Sequence, residues 1–229
     1  MTLDSHVHFF VPGLSYAWAR GRHFEGAPQG YDAVRPGAAI VVEAGVDAGS
    51  ELDEARAIGR LALAHEWIRG FVAPLSAASA AQDELGALVV GYRTTPHAPS
   101  LGAAGALPVD LLAGSRSWDA ALALAAANPD RVVVLDHCGG DAGAEGWDAF
   151  VAGAARLPNT VVKVSAAPSL DVLERVLNLF GADRAMFGSD WPVTADPRGQ
   201  LDVVLGASAG EERAVLSGTA ERVYGVSGG

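Results

Sequence analysis

The sequence predicts an α/β protein, a compact (β/α)₈ TIM barrel with shortened connections. Eight short apolar runs recur at fairly even spacing, and several are separated by stretches rich in Ala, Leu, Glu and Arg with helical period. Strands alternating with helices imply right-handed βαβ units and a parallel sheet. Half of the 229 residues are hydrophobic but only 7% are aromatic. The apolar content therefore resides in Ala, Val and Leu, a composition that suits strands buried on both faces. A chain of this length buries about 70% of the surface its unfolded form exposes. A single domain over residues 1–229 is the simplest reading. Because such barrels usually need roughly 250 residues, some connections must be reduced.

In chain order, strands are expected at Leu3–Phe9, Ala39–Ala44, Ile68–Leu75, Leu88–Thr94, Val109–Ala113, Val132–His137, Thr160–Ser165 and Arg184–Gly188. Apolar residues repeating at three and four positions predict helices over Glu51–Ala64, Trp118–Ala127, Trp147–Leu157 and Leu170–Phe180. Asn128-Pro129-Asp130 and Pro158-Asn159 stop two of these before the sixth and seventh strands. Val11–Gly37 reads as a long loop carrying Tyr16, Trp18, His23, Phe24 and Tyr31. The Pro- and Gly-rich stretch Thr95–Pro108 reads as a loop or one short helical turn. Both loops begin at carboxyl ends of strands, where barrel active sites are built.

The formal net charge is −11, which opposes broad contact with nucleic acid or an anionic membrane. Cys138 is the single cysteine, so no intrachain disulfide can form. No apolar run approaches the roughly 20 residues that a membrane span needs. The first residues also lack the basic-then-apolar order of a signal peptide. The expectation is a soluble, cytoplasmic protein with a small-molecule substrate and no nucleic-acid or membrane partner.

Chemistry concentrates in Asp4-Ser5-His6-Val7-His8. Side chains two apart on a strand share a face, so His6 and His8 project together. An isolated pair of this kind also suits an ordinary half-buried strand. Two later stretches single it out: Leu135-Asp136-His137-Cys138-Gly139-Gly140 and Gly188-Ser189-Asp190-Trp191-Pro192-Val193. In a closed barrel the first and eighth strands are neighbours, and His137 stands across the mouth. His6, His8, His137 and Asp190 then converge. Three imidazoles and a carboxylate can hold one zinc-like ion, or act without metal, Asp190 taking a proton from water while the imidazoles stabilise an oxyanion.

These three motifs resemble those of the amidohydrolase superfamily, and more narrowly its lactonase branch, which hydrolyses sugar lactones and pyrone- or muconate-type lactones. The resemblance continues through Val90-Gly91-Tyr92-Arg93, Val109-Asp110-Leu111-Leu112, Val162-Lys163-Val164-Ser165 and Gly218–Gly225. It implies a (β/α)₈ barrel, Asp190 as the general base, and one divalent metal (zinc or manganese) or none. With no lysine on the fifth strand and no fourth strand-end histidine, the two-metal arrangement found elsewhere in the superfamily is not expected. The chain departs from its relatives at Ala166-Ala167, where glycine is frequent, and at Thr219, where asparagine is.

Around this set, Arg93 is a candidate to pair with a substrate carboxylate. Lys163 sits among valines, where a charge needs a partner, and is placed near the site or in a buried pair with an acid. Trp191 and His97 are candidates for substrate contact, with His23 and Glu43 as weaker ones, while His65 reads as a helix-end residue. Strand alternation points Cys138 and Asp136 away from the site. The resulting expectation is a hydrolase opening a sugar-acid or carboxylated lactone. The alternatives are a metal-dependent decarboxylase of the same superfamily and a non-catalytic ligand- or metal-binding barrel.

Overall fold

A computed structural model describes residues 2–22, 28–98, 100–167, 169–194 and 196–227. Eight strands form one parallel sheet in sequence order: β1 (Leu3–Val7), β2 (Ala38–Val42), β3 (Ile68–Pro74), β4 (Val89–Thr94), β5 (Val109–Leu111), β6 (Val133–Leu135), β7 (Thr160–Val164) and β8 (Ala185–Phe187). The sheet curls until its ends meet. Closure runs through the segment after β8, where Asp190 N–H donates to the His6 carbonyl at 2.9 Å and His8 N–H donates to the Trp191 carbonyl at 2.8 Å. The fold is the compact (β/α)₈ barrel that the alternation of strands and helices predicts.

Each expected strand is present, but β5, β6 and β8 have only three residues each. Eight α-helices lie among the described residues: α1 (Pro28–Val34), α2 (Glu51–Ala64), α3 (Ala78–Leu85), α4 (Trp118–Ala126), α5 (Trp147–Ala155), α6 (Leu170–Phe180), α7 (Pro197–Ala207) and α8 (Thr219–Tyr224). Helix α1 corrects the reading of Val11–Gly37 as loop throughout. Its Tyr31 is fully buried against Phe9, Trp67 and Trp191, a tertiary contact that outweighs a short segment's weak helical signal. The Thr95–Pro108 connection is reduced to the 3₁₀ turn Gly102–Ala104. Helix starts follow local chemistry: Ser169 Oγ accepts from Val172 N–H, and Asp196 accepts from Gly199 N–H ahead of Pro197.

Two apolar layers result. Val7, Val41, Phe71, Val133, Leu135 and Val164 face outward and pack under the helices. Leu3, Ile40, Val72, Val134, Val161 and Met186 fill the inside, where α8 adds Ala220 and Tyr224 as a plug. Thr219, at the start of α8, is buried and its hydroxyl donates to the Ala182 carbonyl at 2.9 Å, tying the last helix to the turn before β8. Above this apolar floor the inside of the barrel becomes polar. Among the described residues no helix is long and apolar enough to cross a membrane.

Candidate active site

The polar layer starts with β1. The register of β1 shifts between Asp4 and Val7, and His6 and His8 turn into the barrel while Val7 packs outward. Asp4 secures this bend by accepting from the Ser189 and His6 N–H groups and from Tyr31 Oη at 2.8, 3.2 and 2.7 Å. Burial raises its pKa, and these three donors oppose the rise. His137 and Asp190 stand just beyond β6 and β8 in left-handed backbone conformations, with φ of 51° and 57°. Such angles are uncommon for residues other than glycine and collect at functional sites. Ala166 shares the conformation, with φ of 49°, which explains why glycine suits this position.

His6, His137 and Asp190 bring one ligand atom each within 4.8 Å of one another, and His8 joins them. The Nε2 atoms of His6 and His8 are 3.0 Å apart. Asp190 Oδ1 lies 3.7 Å from the first and 3.5 Å from the second. Burial alone would raise the Asp190 carboxyl, but the surrounding histidines, led by His8, outweigh it and bring it to about 2. Asp190 is therefore an anion. Burial lowers the pKa of both His6 and His137, with the Lys163 charge adding to the effect at His6. These rings are neutral at pH 7, as metal ligands must be.

The proton positions bear on whether a cation fits. His8 Nδ1 lies 3.0 Å from the Val42 carbonyl, so it carries a proton and leaves Nε2 as a lone pair. His137 Nδ1 is likewise engaged by Ser165 Oγ at 3.0 Å. His6 has two options. If its Nδ1 accepts from Lys163 Nζ at 3.2 Å, Nε2–H donates to His8, but the buried Asp136 Oδ1 has no hydrogen-bond partner. If Nδ1 is protonated, it faces Asp136 Oδ1 at 3.4 Å, and two Nε2 lone pairs then point at each other beside an anion. That arrangement is satisfied by a cation. Neutral imidazoles with one carboxylate suit zinc or manganese.

Behind His6 lies a buried ion cluster. Lys163 Nζ pairs with Asp110 Oδ2 and lies 3.3 Å from Asp136 Oδ1. Arg93 Nε donates to Asp136 Oδ2 at 2.9 Å, and Tyr224 Oη, from α8, bonds to Asp110. Burial works to raise both aspartates, yet Lys163, His6 and Arg93 hold Asp136 well below the ordinary range, while Asp110 stays raised. The inward position of Asp136 corrects its expected outward direction. β6 ends at Leu135, so Asp136 keeps the inward parity of Val134, and it is the left-handed turn at His137 that brings the next side chain to the same side. Asp110, Ser165 and Tyr224 had no assigned role in the sequence. A lone acid between Val109 and Leu111 on a buried strand was the available signal for Asp110.

A cavity of about 360 Å³ opens over these groups, lined in part by His8, Glu43, Arg93, His137 and Asp190. Trp18, Leu112 and Val193 supply its apolar wall. A larger hollow of about 500 Å³ between α2 and α3 carries none of the histidines; convergent chemistry, not size, marks the site. Of the other candidates, Lys163 is fully buried in its ion pairs. Trp191 packs into the Phe9–Tyr31 cluster, and His97 is exposed; neither lines the cavity. His65 caps the end of α2. Cys138 is buried with its thiol pushed up to about 12 by burial, and so is no nucleophile. His23 lies outside the described residues.

Glu54 of α2 is buried at the edge of the cavity wall, accepting from Ala44 N–H at 3.2 Å. Burial, reinforced by the Glu43 charge, raises it to about 8. Its unfolded pKa is near 4.3. The folded chain therefore binds the extra proton between these values, and stability falls as pH rises from about 4 to about 8. Glu54→Gln is expected to remove this slope and to be more stable than wild type at pH 9 by a few kcal/mol. Urea unfolding of both proteins across this range checks it; parallel curves would refute it.

A family model described as amidohydrolase matches residues 3–226. The chain belongs to this amidohydrolase family. No curated protein matches the amidohydrolase sequence, but solved structures do. An amidohydrolase from Burkholderia multivorans with bound zinc is 25% identical over 99% of both chains, with a TM-score of 0.80. A probable 2-pyrone-4,6-dicarboxylic acid hydrolase from Acinetobacter baumannii with citric acid bound is 17% identical, covering 98% of this chain and 99% of its own, with a TM-score of 0.74. A 2,6-dihydroxybenzoate decarboxylase from Rhizobium is 16% identical over 98% of both chains, with a TM-score of 0.66. The amidohydrolase is thus an enzyme of this superfamily, and hydrolases and decarboxylases share its fold.

Proposed function

We propose that this amidohydrolase opens a lactone by adding water to the ring carbonyl. One observation carries the reading: the ionised Asp190 carboxylate sits at the cavity wall within 4 Å of the His6 and His8 Nε2 atoms. Asp190 takes a proton from water as the new C–O bond forms. The carbonyl electron pair moves onto oxygen, and His137, on the cavity wall, donates its Nε2–H to the growing charge when its Nδ1 accepts from Ser165 Oγ. Collapse breaks the ring C–O bond, and Asp190 returns its proton to the leaving alkoxide. His6, His8, His137 and Asp190 are the residues that would hold a divalent ion. When bound, such an ion supplies Lewis acidity and lowers the pKa of water to about 7.

Support at the level of fold comes from the probable pyrone hydrolase, since a pyrone is a cyclic ester. The decarboxylase neighbour motivates the second reading, loss of carbon dioxide from an aromatic acid. The test is acid release from a panel of sugar, aldonate-derived, carboxylated and neutral lactones, run beside carbon dioxide release from hydroxybenzoates. Acid release is expected. Carbon dioxide without lactone turnover would overturn the proposal.

The metal is tested apart from activity. Zinc at a hundredfold excess over its dissociation constant is expected to stabilise the protein by about 2.7 kcal/mol. A chelator should reverse the gain, and His137→Ala should abolish it. Thermal unfolding reads all three, and a wild type indifferent to zinc would leave these residues with metal-free chemistry.

A further inference from the structure

Among the described residues the cavity has one cation on its wall, Arg93, and that cation is already shared between two acids. Arg93 Nη1 donates to Glu43 Oε1 and to the Glu43 carbonyl, both at 3.2 Å. Its Nε donates to Asp136 Oδ2 at 2.9 Å. Glu43 itself is a lining residue, 14% exposed, and is not free to swing away. Its Oε2 accepts from Gly45 N–H at 2.7 Å. The turn that holds it is clamped from outside by Trp18 Nε1, which donates to the Ala44 carbonyl at 2.8 Å. Gly45 has φ of 69°, and a Cβ there would stand 2.9 Å from Trp18 Nε1. The turn is thus closely packed.

An incoming carboxylate would be desolvated beside Glu43 and would find Nε and Nη1 of the guanidinium already engaged. A neutral ring meets no such opposition, and Trp18, Leu112 and Val193 offer it an apolar edge. We propose that Glu43 occupies the place of a substrate carboxylate, so that the cavity selects small neutral lactones and rejects carboxylated ones. This rests on the lactone-opening reading and changes its substrate class. Rejection by a fixed like charge is a general route to specificity. The neutral preference also separates this site from decarboxylation, which requires an acid as substrate.

The test compares δ-valerolactone bearing a methyl group with the same ring bearing a carboxylate at that carbon, in wild type and in Glu43→Gln. Wild type is expected to favour the neutral lactone at least tenfold in kcat/KM. Glu43→Gln should move the ratio tenfold or more toward the carboxylated ring, chiefly through KM. A wild-type preference for the carboxylated ring overturns the proposal without recourse to any variant. So does a folded Glu43→Gln whose ratio moves less than twofold. Calorimetric binding of the two corresponding lactams keeps this inference separate from the reaction. If no lactone is opened but the neutral lactam binds more tightly and Glu43→Gln narrows the gap, hydrolysis falls and charge selection stands. Tighter wild-type binding of the carboxylated lactam overturns charge selection whether or not the lactones are opened.

Discussion

Asp190→Asn is expected to lower kcat for lactone opening by roughly 10²–10⁴-fold, the usual contribution of a positioned general base. The substitution keeps the shape of the side chain and removes its ability to take a proton. It also keeps the backbone, because asparagine tolerates the left-handed conformation found at φ 57° at least as well as aspartate. The residue faces the cavity, and its imidazole neighbours are neutral, so removing its charge strands no counter-ion. KM and the unfolding temperature should therefore change little. Initial rates of acid release beside a thermal melt decide it. A kcat within tenfold of wild type, from a folded protein, would take the role of base away from Asp190.

The second large effect is on stability. Lys163→Met should cost about 3–5 kcal/mol, the loss seen when one partner of a buried pair is removed. For a domain of this size that corresponds to roughly 6–20 °C in Tm. Lys163 is fully buried, and its ammonium stands between Asp110 and Asp136, which are equally inaccessible. Without it, among the described residues Asp110 keeps only Tyr224, and Asp136 keeps Arg93 and His6. The double variant Lys163→Met/Asp110→Asn removes the stranded charge and should recover part of the loss. Urea unfolding of the single and double variants forms the cycle. A loss under about 1 kcal/mol in the single variant would show that the cluster is not held by charge. Activity should fall too, since Lys163 Nζ lies 3.2 Å from His6 Nδ1 and helps decide which nitrogen of His6 carries the proton.

The barrel was legible because its signals are local and repeated. Buried parallel strands must be continuous apolar runs, and amphipathic helices must repeat at 3.6 residues; Ala38–Val42 and Glu51–Ala64 display each pattern. The first-strand histidines were legible for the same reason, since a spacing of two places side chains on one face. Helix α1 was hidden because its packing partners Phe9, Trp67 and Trp191 are distant in sequence.

From the sequence alone follow the eight-fold alternation of strand and helix, the resemblance to amidohydrolases, and the convergence of His6, His8, His137 and Asp190 on one mouth. Periodicity suffices for the first, the residue motifs carry the second, and the order of strands around a closed barrel implies the third. The tertiary structure alone decides that Asp136 faces inward, that Lys163 serves a buried ion cluster, and that Arg93 is held by Glu43. Each depends on where a strand stops and on which charges come within a few ångströms across the barrel. Strand alternation carries no information once the backbone turns left-handed, as it does at His137. The strength of a charge pair depends on separation and burial, and neither is written in the order of residues.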